Sequence, residues 1–393
     1  MYWAGAVPDM LSEVGVKKLS MQIKIKKKLD NFTLDISLDV AQETVGFLGE
    51  SGCGKSLTLK CIAGVETPDE GKIVVNGRTY FDSEAGINLS PQDRKCALLF
   101  QDYMLFPNMT VVQNIAAGID TRLDVNARDE VLRSEIARLG LEGFENRYPA
   151  QLSGGQKQRV ALARMLAAKS EILMLDEPFS ALDSHLKGVL EQNLSRVFDD
   201  FKGSILYVSH DIDEALFFCD RIAIVQDGKI VEYSSANLLV SHPKTKAAIK
   251  LSGCKNAPSA FYVNETEVYV PKWGVSLSTA DEVPKDLKYI GIRATYLQLR
   301  DSTGEASHKE NVFKMRIDRV SKSRFLLHIL LSFSESDLSE QECANQDLND
   351  MKYLHRRVSW KVNASEFKDG RVPCVGDEVY VHIPPDKIYM ATM

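Results

Sequence analysis

The chain has 393 residues, of which 44% are hydrophobic, 8% aromatic and 26% charged. That balance excludes disordered, collagenous and disulfide-scaffold classes and suits two or three packed domains. With 54 acidic against 48 basic residues the net charge is −6, which argues against a protein whose main task is gripping nucleic-acid phosphates.

At the N-terminus, Met1 to Ser20 carries Pro8, Asp9 and Glu13 and has no basic stretch ahead of an apolar core. It does not read as a signal peptide. Residues 1–20 are expected to form a disordered extension, with Met21 an alternative start.

The first informative strand is Val45-Gly46-Phe47-Leu48, which runs into Gly49-Glu50-Ser51-Gly52-Cys53-Gly54-Lys55-Ser56, a match to the phosphate-cradling pattern GxxxxGK[ST]. Glycines there permit turns closed to other residues and aim backbone N–H groups at phosphate oxygens. A helix opening at Lys55 adds the positive end of its dipole. Lys55 is thereby assigned to the β- and γ-phosphates and Ser56 to Mg²⁺. The pattern arises by chance in roughly one chain in a hundred, but here it follows a strand and precedes the helix-like run Leu57 to Ala63, as the motif requires.

Ala97-Leu98-Leu99-Phe100 is the next apolar run, and it ends at Gln101. Leu152-Ser153-Gly154-Gly155-Gln156 then precedes a helical pattern with Val160, Ala163 and Ala167 on one face. Ser153 is a natural N-cap, and the paired glycines let a phosphate approach the backbone, a second anion-binding helix start. This pentapeptide is expected by chance in roughly one chain in a few thousand. Ile172-Leu173-Met174-Leu175 ends at Asp176-Glu177, and Ile205-Leu206-Tyr207-Val208 ends at Ser209-His210.

Continuous apolar runs separated by helical patterns imply a parallel sheet buried on both faces, with ligands beyond the carboxyl ends of its strands. The strand ends are therefore expected to converge. In such a site Asp176 would hold Mg²⁺ and Glu177 would orient or deprotonate the attacking water. Gln101 would contact the metal or that water, and His210 would reach the γ-phosphate.

From about Ala257 the pattern changes to short alternating strands such as Glu267 to Val270 and Glu378 to Ile383, which implies a small β-barrel. Ser334 to Asp350 is rich in Ser, Glu, Asp and Asn and is expected to be a solvated loop. Seven cysteines at 53, 61, 96, 219, 254, 343 and 374 form no CxxC pair and no zinc spacing; reduced thiols in a cytosol fit best. The longest nearly apolar run, Phe325 to Phe333, contains His328 and Ser332. It falls far short of the roughly 20 residues that cross a bilayer as a helix.

With these motifs in this order, residues from about 22 to 245 resemble the ATP-binding-cassette family. The resemblance implies an α/β P-loop NTPase cassette over 21–250, mostly parallel sheet with a helical subdomain at about 102–165, followed by a small all-β OB-like regulatory domain over 257–393. It implies an ATPase using ATP and Mg²⁺, and a head-to-tail homodimer. Ser153 and Gly155 of one subunit, with Gln156 beside them, would meet the γ-phosphate lying on the other subunit's P-loop, Gly49 to Leu57. Gln101 matches the Q-loop, Asp176 and Glu177 the metal-binding and catalytic carboxylates, Ser180-Ala181-Leu182-Asp183 the D-loop and His210 the switch histidine.

The pattern departs from the family in two places. Leu57 stands where a threonine is usual, so a side-chain contact to the α-phosphate is expected to be missing. An aromatic that stacks on adenine is expected upstream of the P-loop; Leu29 falls near its usual place and Phe32 is the nearest ring, so Phe32 is assigned the role. Cys53 places a thiol inside the P-loop, where it could make activity sensitive to oxidation or serve only as a small loop residue.

The stretch Phe100 to Val111 is similar to that of bacterial importers, in which the region after the Q-loop receives a short coupling helix from the membrane subunit. This similarity implies separate integral membrane permease subunits, indirectly an extracytoplasmic solute-binding protein, a peripheral position on the cytoplasmic face of the membrane, and no nucleic-acid partner. Asn76 to Ser83 and Gly86 to Pro91 look like the molybdate and sulfate subgroup, molybdate especially. Tyr289 to Ala294 resembles the start of the regulatory domain of importer ATPases. The Ser-Ala-Arg-Asn run of oxyanion-binding barrels is absent, with only Asn311-Val312-Phe313 nearby, which argues against direct molybdate sensing. The expected function is an ATP-hydrolysing subunit powering an oxyanion importer, molybdate foremost. The alternative is a non-transport cassette ATPase acting as a nucleic-acid or ribosome-associated switch.

Overall fold

The computed structural model describes residues 19–180, 184–300, 311–323, 326–333, 356–367 and 373–393. The first eighteen residues, Ala181-Leu182-Asp183 and the expected loop at 334–350 lie outside them. The chain divides after Ala236 into two compact units.

In the first unit, β1 (Leu19–Leu29) pairs antiparallel with β2 (Phe32–Ala41). Met21, Ile23 and Ile25 are buried on one strand and Leu34, Ile36, Leu38 and Val40 on the other, with polar residues between them. This alternation is what a sheet covered on one face demands. There follow β3 (Thr44–Leu48), α1 (Lys55–Ala63), β4 (Glu70–Val75), β5 (Arg78–Asp82), β6 (Ile87–Asn88), β7 (Cys96–Leu99), α2 (Val111–Ala116), α3 (Val125–Arg138) and α4 (Gly154–Ala167). The unit is completed by β8 (Ile172–Asp176), α5 (Ser184–Asp200), β9 (Ser204–Val208), α6 (Ile212–Phe218), β10 (Arg221–Gln226) and β11 (Lys229–Ser235).

These strands form one 11-stranded sheet in the order β6-β5-β4-β1-β2-β11-β10-β3-β9-β8-β7. The arm from β6 to β2 is antiparallel, whereas β10, β3, β9, β8 and β7 run parallel. Every residue of β8 and β9 is buried, so their unbroken apolar runs are matched by cover on both faces.

The parallel register decides where chemistry can occur. Leu99 lies opposite Leu175, Asp176 opposite Val208, and Phe47 opposite Val208. The residues just past each strand, Gly49, Gln101, Glu177 and Ser209, therefore leave the sheet at the same edge. α1 anchors the P-loop from below by burying Leu59 and Ile62 completely, each worth about 1.5–3 kcal/mol. α4 packs on α2, α3 and β7, and Val160, Leu162, Ala163, Met165 and Ala167 of its apolar pattern are buried together with Ala161.

At the start of the second unit, α7 (Ala236–Ser241) and α8 (Lys246–Leu251) lead into β12 (Phe261–Asn264), β13 (Glu267–Val270), β14 (Val275–Ser278), β15 (Tyr289–Gly291) and β16 (Gln298–Arg300). β17 (Val312–Lys322), β18 (Leu327–Phe333), β19 (Arg357–Val362), β20 (Glu378–His382) and β21 (Tyr389–Ala391) complete it. The alternating pattern is realised as three ladders, β12-β13-β14, β15-β21 and β16-β20-β17-β18-β19. They share one core containing Trp273, Phe313, Phe333 and Trp360. Trp360 Nε1 donates to the Leu297 carbonyl at 3.0 Å, which satisfies the only polar atom of a buried indole. Among the described residues no helix is long and apolar enough to cross a membrane.

Candidate active site

The P-loop is held by its own backbone and by one lysine. Cys53 N donates to the Glu50 carbonyl at 3.3 Å, and Gly228 N donates to the Cys53 carbonyl at 3.1 Å. Lys55 is 5% exposed, and its Nζ donates to the Gly49 and Glu50 carbonyls at 2.8 and 2.9 Å and lies 3.8 Å from Cys53 Sγ. Gly54 has φ +110°, and a Cβ there would meet Leu34 Cδ1 at 2.6 Å and Phe32 Cζ at 3.0 Å. Only glycine fits that position. Gly49 and Cys53 are buried, whereas Glu50, Ser51 and Gly52 are exposed on the loop's outer side.

The same close approach places Phe32. Its ring leans over Gly54 at the rim of the P-loop, while Leu29 is 49% exposed at the end of β1. Leu57, at the position where a hydroxyl was expected, packs partly buried against the core. Thr58 is one residue further on and fully buried, and its hydroxyl donates to the Gly54 carbonyl at 2.9 Å. That hydroxyl is engaged by the helix's own backbone.

Ser56 and Asp176 are brought together: Ser56 Oγ donates to Asp176 Oδ1 at 2.8 Å. Burial pushes the Asp176 carboxyl above its usual range, the Ser56 hydroxyl opposes that, and the neighbouring Glu177 charge adds to it. Two hard oxygens at one point suit Mg²⁺, which takes one or two protein ligands and completes its shell with phosphates and water. Gln101 stands exposed beyond β7, on the same sheet edge.

Glu177 is held in a left-handed conformation, φ +46°. Its N–H donates to the Val208 carbonyl at 3.0 Å, and its Oε2 lies 3.4 Å from His210 Nδ1. A non-glycine residue there stores strain that its surroundings must impose. The strand ends of β8 and β9 thus set a carboxylate against an imidazole, directly beside the Ser56–Asp176 pair.

Ser153 and Gln156 form a reciprocal capping box: Gln156 N donates to Ser153 Oγ at 3.3 Å, and Ser153 N donates to Gln156 Oε1 at 2.9 Å. Ser153 is exposed and Gly155 buried at the start of α4. Their hydrogen bonds belong to their own helix rather than to the P-loop. Asp183 lies outside the described residues.

Residues the motifs do not point to also shape the site. Gln158 is fully buried on α4, and its Nε2 donates to the carbonyl of Pro178, the residue after Glu177, at 2.9 Å. Arg164, also on α4, donates to the Tyr103 and Met104 carbonyls, both at 2.8 Å. Asn114 clamps the same loop: Phe106 N donates to its Oδ1 at 2.8 Å, and its Nδ2 donates to the Met109 carbonyl at 3.0 Å. The clamped loop leaves Met104, Phe106 and Met109 exposed at 54%, 46% and 38%.

Residues 29–180 match the family model described as ABC transporter. The chain is 40% identical over 223 residues to the sulfate/thiosulfate import ATP-binding protein CysA of Synechocystis sp., covering 56% of this chain and 61% of that protein. It is 35% identical over 283 residues to the protein of the same name from Ralstonia nicotianae, covering 67% of this chain and 74% of the relative. It is also 36% identical over 223 residues to the molybdenum import ATP-binding protein ModC of Paramagnetospirillum magneticum, covering 57% of this chain and 61% of that one. A 35% match spanning nearly three quarters of a relative's length, carrying the P-loop and the paired carboxylates described above, settles the assignment: the chain belongs to the ATP-binding-cassette transporter family, among its importer ATPases.

Proposed function

We propose that this chain is the ATP-hydrolysing subunit of an importer for a tetrahedral oxyanion, working as a homodimer on the cytoplasmic face of a membrane beside separate permease subunits. The observation that carries the reading is the meeting of Ser56 with Asp176 and of Glu177 with His210 at the ends of adjacent parallel strands.

Lys55 and the P-loop N–H groups bind the β- and γ-phosphates, and Phe32 covers the adenine. Ser56 and Asp176, with Gln101, hold Mg²⁺. Bound Mg²⁺ neutralises charge on the phosphate oxygens. Glu177 accepts the proton of the attacking water, and His210, 3.4 Å away, holds the γ-phosphate side of the site. Ser153 and Gly155 of the second copy complete the γ-phosphate's donors, so only the closed pair satisfies them all, and ATP drives closure through that difference. Hydrolysis removes it. The exposed Met104, Phe106 and Met109 form the apolar face on which a permease segment docks, and Gln101 just before them reports the state of the nucleotide.

The stretches Asn76 to Ser83 and Gly86 to Pro91 resemble the molybdate and sulfate subgroup, molybdate especially, and relatives include proteins named for sulfate/thiosulfate, molybdenum and Fe(3+) import. The resemblance of those two stretches, rather than the relatives' names, supports a tetrahedral dianion as the solute, with molybdate foremost. Reconstitution with permease and solute-binding protein tests it. Molybdate, tungstate or sulfate should stimulate ATP turnover; stimulation by none of them, or salt-sensitive co-purification of nucleic acid in place of a polytopic membrane protein, would overturn it.

A further inference from the structure

Five polar residues around His210 form a network outside the nucleotide contacts already assigned. Ser209 Oγ donates to Glu214 Oε2 at 2.7 Å, and Tyr207 OH donates to the same oxygen at 3.0 Å. Asp211 N donates to Ser209 Oγ at 2.9 Å. From α5, Lys187 Nζ reaches Glu214 Oε1 at 2.7 Å and Asp211 Oδ2 at 3.0 Å. Both residues that flank His210 in the chain are thus tied, directly or through one atom, to Glu214 and Lys187.

Exposure separates the parts of this arrangement. Ser209 and Glu214 are only 1% and 8% exposed, whereas the His210 side chain is 63% exposed. A mostly exposed ring takes its position from the backbone that carries it. Here that backbone is fixed on its buried side by a carboxylate accepting three hydrogen bonds. Burial draws the Lys187 ammonium down, but its hydrogen bonds to Glu214 and Asp211 outweigh that and keep it charged. Glu214 is the buried partner, and the Lys187 side chain, 30% exposed, reaches it from the surface side, so the pair fixes where the Glu214 carboxylate sits.

We infer that Glu214, held by Lys187, is a positioning residue that sets the His210 loop against Glu177 and joins it to the first turn of α5. The inference rests on the ATPase reading above, because it assigns Glu214 an effect on turnover that acts only through His210.

The test measures kcat, KM and melting temperature of the full chain for wild type, Glu214→Gln, Lys187→Met, His210→Ala and the double variant Glu214→Gln/His210→Ala. Glu214→Gln and Lys187→Met should lower kcat about 10- to 100-fold, with KM for ATP within about twofold of wild type. On the His210→Ala background, Glu214→Gln should cost nothing further, because its effect has lost its carrier. Unchanged kcat in a folded Glu214→Gln, a raised KM at unchanged kcat, or an equal further loss on the His210→Ala background would each overturn the inference. Should Glu214→Gln fail to fold, Lys187→Met carries the same test, since it leaves the Ser209 and Tyr207 hydrogen bonds in place; loss of folding in both would assign the cluster to the fold alone. A wild-type chain without ATP turnover would sink the ATPase reading, and this inference with it.

Discussion

Ser56 Oγ donates a 2.8 Å hydrogen bond to Asp176 Oδ1, joining residues 120 positions apart at the point where α1 begins and β8 ends. The P-loop and the acidic strand end are therefore one site, built by the parallel register of β3, β9 and β8.

Asp176 is an ionisable group kept where water is scarce. Burial raises its pKa, with the Ser56 hydroxyl opposing and the Glu177 charge adding. Asp176→Asn removes the buried charge and keeps an oxygen for Ser56. The nucleotide-free protein should melt about 2–4 °C higher, corresponding to about 1 kcal/mol, while Mg²⁺-dependent ATP binding weakens. Calorimetry with and without Mg-ATP checks both, and a lower melting temperature in the free protein would count against the electrostatic reading.

Glu177→Gln keeps the side chain's shape at a strained position, φ +46°, and removes the base. Turnover should fall about 10²- to 10⁴-fold, with ATP still bound and the paired form accumulating. Steady-state ATPase assays and size-exclusion chromatography with ATP report the outcome. Wild-type turnover would take Glu177 out of the role.

Phe32 leans over Gly54, and a base stacked on an aromatic ring contributes about 1–3 kcal/mol. Phe32→Ala should weaken ATP about 5- to 150-fold and leave inorganic triphosphate almost unaffected, since that ligand has no base to stack. Calorimetric titration of both ligands separates the cases; equal losses would mean that Phe32 supports the P-loop backbone and nothing more.

Burial raises the Cys61 and Cys96 thiols to about 11, whereas Cys374 is exposed. At pH 8 a thiol with a pKa of about 11 is thiolate in roughly one molecule per thousand. A raised folded-state value means that the neutral thiol stabilises the fold below the ordinary value of 9.0, and that this contribution is lost as pH rises through about 11. Alkylation followed by peptide mass spectrometry should modify Cys374 early, and Cys61 and Cys96 slowly, with their rates climbing as pH increases. Rapid labelling of Cys61 at pH 7 would contradict the buried placement.

The site was legible where chemistry is local in the chain. The P-loop, the strand ends at Asp176 and His210, and the N-cap at Ser153 each announce themselves within a few residues, because turn glycines, apolar runs and capping side chains act on their own backbone. Gln158 and Glu214 carry no such signal. A lone Gln in a helix, or a Glu four residues past a His, gains meaning only from a partner reached through tertiary packing, here the Pro178 carbonyl and Lys187. Phe32 was nameable as a ring near the P-loop, but its approach to Gly54 depends on β2 register and on a glycine with φ +110°. The second unit read as alternating strands, yet its division into three ladders is set by cross-strand pairing that period alone does not encode.

In the proposed homodimer a γ-phosphate is gripped jointly by the P-loop of one copy and the Ser153–Gly155 segment of another. Turnover per protomer, measured across a dilution series with association followed by sedimentation, tests it most directly. The specific activity should fall toward zero in step with the paired fraction and recover on concentration. Undiminished ATP hydrolysis by protomers that sediment as single chains would contradict it.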